Sequence, residues 1–134
     1  MANEVSAKNG RFVHLWRVCL FTWTTLIGIG TFLPQGNEAA GYFTLGGRDF
    51  FAHLAAYGVL TVLTVLALQG LRHKWRILAA FFFPVLLSVA TESLQPLVGR
   101  AFQAADMLAN GIGVTLGLGA GAFTMLFLER KFHL

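Results

Sequence analysis

The sequence predicts an all-α fold, a four-helix transmembrane bundle that forms one integral membrane domain over residues 1–134. Three observations predict it. Apolar residues make up 56% of the chain, against roughly 45–50% in soluble domains. Charged residues make up only 12%, about half the usual share of roughly 25%. Four apolar runs, separated by short polar or basic segments, account for a mean hydropathy of +0.66. Six acidic and ten basic residues are too few to clothe a water-soluble globule of this size, which argues against a soluble enzyme. The single cysteine, Cys19, has no second thiol, so neither an internal disulfide nor a thiolate metal site is expected. The net charge of +4 is held in short clusters between apolar runs, not in a basic stripe interleaved with aromatics, so no nucleic-acid partner is expected.

The first run, Val18 to Asn37, holds 20 uncharged residues, and Phe50 to Leu71 and Met107 to Leu128 hold 22 each. Each is long enough to cross a hydrocarbon core of roughly 30 Å at about 1.5 Å per helical residue. From Ile77 only 15 residues precede Glu92, so that crossing extends to about Leu94 or Pro96 and leaves Glu92 inside the membrane margin. The expected spans are therefore near 14–33, 51–71, 77–95 and 106–128. Pro84 interrupts the third with a missing N–H and predicts a kink. Trp16, Trp23 and Trp75 lie near predicted ends, as interfacial rings do. A cleavable signal peptide is the competing reading of the first run. Its 20 residues exceed the usual apolar region of about 7–15, and no small-x-small site follows promptly.

Lys8, Arg11, Arg17, Arg72, Lys74, Arg76, Arg130 and Lys131 fall on one side of this arrangement, and Arg48 and Arg100 on the other. Eight against two predicts cytoplasmic N- and C-termini. Polar residues that could have been apolar carry the functional information, because charge at membrane depth persists only with a partner or a purpose. Asp49, His53 and Tyr57, at i, i+4 and i+8, lie along one face of the second helix. Glu92 and Gln95 share a face at the end of the third, Arg100 sits in the following loop, and Asp106 and Asn110 open the fourth. All are expected at the outer end of the bundle. Gly113, Gly117 and Gly121 continue the register of Ala105 and Ala109 as a smooth packing stripe, either within the chain or against a second copy.

The string Asp49-x-x-x-His53-x-x-x-Tyr57, then Glu92-x-x-Gln95, then Arg100 and Asp106-Met-Leu-Ala-Asn110-x-x-Gly113 resembles the VanZ-like family of small bacterial membrane proteins, over about residues 48–121. Two positions depart from the family pattern. Phe50 stands where a basic residue usually follows the Asp, with Arg48 on its other side, and Val98-Gly99 stands where Pro-Gly usually precedes the Arg. The resemblance implies a bundle of about four helices in the bacterial inner membrane and a link, in some members, to teicoplanin resistance. It implies no settled reaction.

Several readings of the polar cluster stay open. In one, it is a hydrogen-bonded network that fixes helix register. In another, Arg48 and Arg100 help bind a polar or anionic ligand, such as a membrane lipid headgroup or an envelope precursor. Catalysis is disfavoured, because Thr91 and Ser93 are expected on other faces than Glu92 and Cys19 toward the opposite side. No catalytic residue, metal or cofactor is therefore expected, although His53, Glu92 and Asp106 are the residues that could hold a divalent ion. The alternative from a different class is a small accessory subunit packed into a larger membrane complex.

Overall fold

Among the described residues, four stretches bury their backbone hydrogen bonds within helices. The computed structural model describes residues 2–33, 49–100 and 102–132. They form α1 (Ala2–Phe32), α2 (Asp49–Ala67), α3 (His73–Leu94) and α4 (Ala104–Phe132), with one 3-10 turn, Gln95–Val98, between α3 and α4. All four helices are long and apolar enough to cross a membrane. Their ends do not coincide with the apolar runs. Helix α1 begins at Ala2 and α4 continues to Phe132, past the apolar boundaries, while α2 stops at Ala67 before Leu68 to Gly70 form a turn. Apolarity marks the part that lipid can solvate, whereas a helix ends where its hydrogen-bond ladder does. Pro84 sits fully buried within an unbroken α3.

The helices alternate in direction, so α2 and α4 run parallel. Arg17, in the first half of α1, donates from Nε to the Ala67 carbonyl at the C-terminal end of α2 at 3.4 Å. A cation at that position also complements the helix dipole. At the opposite end Arg100 donates from Nη1 to the Gly30 carbonyl near the close of α1, again at 3.4 Å. The most extensive contact is between α2 and α4, and α3 lies against both. Helix α1 is peripheral and rests on α2, with Leu20, Trp23 and Ile27 packed against the core of Tyr57, Leu60 and Val114. Trp23 is not an interfacial ring. Its indole Nε1 donates to the Ala56 carbonyl at 2.9 Å, tying α1 to α2 inside the bundle.

The closeness of α2 and α4 follows from glycine. Lipid tails are as apolar as leucine, so helices gain little by hiding apolar surface and associate through tight packing. A Cβ added at Gly113 would overlap the Leu54 carbonyl oxygen, and one at Gly117 would lie 2.5 Å from the Gly58 carbonyl oxygen. Gly121 continues the seam against Val65. The stripe is thus filled by α2 of the same chain. On the same face Thr61 and Thr64 are buried, yet each hydroxyl donates at 2.8 Å to the carbonyl four residues earlier, so neither is left unsatisfied.

Gly99 closes the 3-10 turn in the left-handed region at φ 76°, and the Arg100 N–H then donates to the Gln95 carbonyl at 3.2 Å. The turn reverses the chain within a few residues and delivers Arg100 beneath the end of α1.

Gly113→Ala and Gly117→Ala are each expected to destabilise the bundle by about 1–3 kcal/mol through backbone overlap. Gly119→Ala, which meets open space, is expected to be neutral or slightly stabilising. Thermal unfolding of the purified variants in detergent micelles checks the contrast.

Candidate functional site

The first turns of α2 and α4 and the last turn of α3 meet at one end of the bundle, because α2 and α4 are parallel and α3 is antiparallel to both. That arrangement brings His53, Glu92, Gln95, Asp106 and Asn110 together. Glu92 is fully buried, and Gln95, Asp106 and Asn110 are nearly so, at 2%, 2% and 1% exposure. The His53 side chain is less enclosed, at 19%.

Asn110 links three helices. Its Nδ2 donates to Ser88 Oγ on α3 at 2.8 Å, and its Oδ1 lies 3.1 Å from His53 Nδ1 on α2. With the amide in that orientation Oδ1 accepts, so Nδ1 carries the imidazole proton. Nδ1 is also 3.7 Å from Glu92 Oε1, while Nε2 faces Asp106 Oδ2 at 3.6 Å. Both separations are longer than those of direct hydrogen bonds. Gln95 Nε2 donates to Glu92 Oε1 at 3.3 Å. Among the described residues Glu92 Oε2 and Asp106 Oδ2 are buried with no hydrogen-bond partner of good geometry, although the Gln103 backbone N–H lies near the Glu92 carboxylate.

Below this layer Tyr57 joins α2 to α3. The Thr91 hydroxyl donates to main-chain carbonyls of its own helix, at 3.0 Å from both Leu87 and Ser88, so the Tyr57 phenol donates to Thr91 Oγ1 at 2.9 Å. Thr91 is therefore part of the network, not on a separate face as the sequence suggested. Its neighbour Ser93 is exposed. Ser88 was missed, although Ser88, Glu92 and Gln95 at i, i+4 and i+7 share the face that signals it. Gly58, the partner of the α4 glycines, was missed as well.

Arg100 stands at the margin of this group: half-buried, it donates to the Gly30 carbonyl while its charge also acts on the Glu92 carboxylate. Asp49 is the first residue of α2, but its side chain, like Arg48, lies outside the described residues. Among the described residues the assembled cluster is rich in acceptors, with two buried carboxylates facing one imidazole and Arg100 at its margin, chemistry that suits hydrogen-bond donors or a cation.

Comparison with protein-family models, with curated proteins and with solved structures finds no match to this chain.

Asn110→Ala removes two cross-helix bonds and leaves His53 Nδ1 and Ser88 Oγ without their partner. It is expected to lower unfolding stability by about 1–2 kcal/mol. Ser88→Ala removes one bond and is expected to lower it by roughly half as much. Chemical unfolding in mixed micelles, with helicity as the readout, distinguishes the two.

Proposed function

We propose that this multi-pass membrane protein is a VanZ-like envelope protein that binds a polar or anionic headgroup at the outer face and thereby contributes to glycopeptide tolerance. The observation that carries the reading is the buried cluster at one end of the bundle. Glu92 Oε2 and Asp106 Oδ2 lack donors of good geometry there, and the half-buried Arg100 lies at the same end. Lipids and lipid-linked wall precursors present both complements. Their amines and hydroxyls can donate to carboxylates, and their phosphates can accept from a guanidinium fork. The Arg100 bond to Gly30, at 3.4 Å, is long enough to be exchanged for a charge-assisted contact.

The membrane orientation supports the same reading. Arg11, Arg17, Arg72, Lys74, Arg76 and Arg130 cluster at the opposite end of the helices, which by the positive-inside rule is the cytoplasmic one. The polar end then faces outward, where headgroups and envelope precursors lie. The family resemblance of Asp49, His53, Glu92, Arg100, Asp106 and Asn110 supplies the connection to teicoplanin.

Phosphatidylglycerol and phosphatidylethanolamine, added to the protein in a neutral detergent, are expected to raise its unfolding temperature, and Arg100→Ala to lose most of the shift. Arg100→Lys is expected to retain part of it, because the charge survives without the fork. A lipid-dependent shift of equal size in all three proteins would overturn the headgroup reading.

A further inference from the structure

We infer that His53, Glu92 and Asp106 form a binding site for a first-row divalent metal ion, Zn2+ by preference. This goes beyond the headgroup reading and does not require it, since the three residues need no lipid to act together.

The argument begins with the imidazole. Asn110 Oδ1 accepts the Nδ1 proton of His53 at 3.1 Å, with the amide oriented by its bond to Ser88 at 2.8 Å. The lone pair is then on Nε2, which faces Asp106 Oδ2 at 3.6 Å. Two acceptors face one another there, an arrangement that a cation held between them makes favourable. The separation is closer to that of two ligands sharing a metal than to that of two groups sharing a proton. A charge-assisted N–H···O bond closes to about 2.7–2.9 Å. Nitrogen and oxygen that share a tetrahedral zinc, each about 2.0–2.1 Å from the ion, stand roughly 3.4 Å apart.

The third ligand is in place. One ligand atom from each of His53, Glu92 and Asp106 lies within 4.8 Å of the other two, so side-chain rotations that bring them in by about 1 Å close the set around one ion. Glu92 Oε2 and Asp106 Oδ2 are both buried and, among the described residues, have no hydrogen-bond partner of good geometry. The surroundings resemble those of a metal site more than those of a simple ion pair. Ligating histidines donate their other N–H to a carbonyl or carboxylate, as His53 does to Asn110, and ligating carboxylates are held by a further hydrogen bond, as Glu92 is by Gln95 at 3.3 Å.

One imidazole with two carboxylates, and no thiolate, suits Zn2+ or Mn2+. Three protein ligands leave a further position for water or a ligand oxygen. The His53 side chain is 19% exposed, and the site is one helical turn or two from the ends of its helices.

The test uses the full chain, purified in detergent without a polyhistidine tag, stripped by chelator and titrated with Zn2+ and with Co2+. The expected result is one saturable equivalent of Zn2+ per chain, an unfolding temperature that rises with Zn2+ concentration, and a Co2+ absorption band characteristic of low coordination number. Glu92→Gln and Asp106→Asn are expected to weaken binding by well over tenfold, and Asn110→Ala by about tenfold through loss of orientation. His73→Ala, at the opposite end, is expected to change nothing. Unsaturable binding, or a Co2+ spectrum identical to that of the free aqueous ion, would overturn the inference and leave a protonated His53 between the two carboxylates. The Co2+ spectrum of the unaltered chain decides the matter even where a variant fails to fold.

Discussion

Two carboxylates withdrawn from water are the constraint on which the rest of this molecule depends. Glu92 is fully buried and Asp106 is 2% exposed, and neither can remain so in a low-dielectric bundle without compensation from neighbouring helices. The compensation comes from three directions. His53 approaches both from α2, Gln95 donates from the turn after α3, and Asn110 holds the imidazole from α4 while anchoring itself to Ser88. Each of these residues lies within two turns of a helix end, so the cluster sits at one end of the bundle and not at its middle.

The glycine seam makes this meeting possible. His53 and Asn110 can bond only if the axes of α2 and α4 approach closely, and Gly58, Gly113 and Gly117 permit that approach a turn below the site. Packing and chemistry are therefore coupled through one pair of parallel helices. Helix α3 is the third wall, fixed to α2 by the Tyr57–Thr91 bond and to α4 by Ser88–Asn110. Helix α1 contributes little burial, but its end supplies the carbonyl that positions Arg100.

Much of this was legible in the sequence, because helical spacing and membrane energetics are both one-dimensional rules. Runs of about twenty uncharged residues located the helices. The i, i+4 spacing put His53 with Tyr57 and Asp106 with Asn110, and the alternation of direction brought their ends together. What the residues could not reveal was anything that depends on the azimuth of one helix against another. Ser88 and Thr91 are small hydroxyl residues that satisfy themselves on any helix, so even the face that Ser88 shares with Glu92 and Gln95 does not tell which helix it meets. Trp23 resembles an interfacial ring until Ala56 is found beside its indole. The direction of Arg100 depended on a left-handed Gly99 that only the folded turn makes explicit.

The claim that these distant residues meet in one network is tested most directly by a double-mutant cycle on His53 and Asn110, with unfolding measured in the same micelles for His53→Ala, Asn110→Ala and the pair. Coupling of about 0.5–1.5 kcal/mol is the predicted result, since either substitution alone removes the same contact between α2 and α4. Strictly additive losses would contradict the account, for they would mean that the imidazole and the amide act independently.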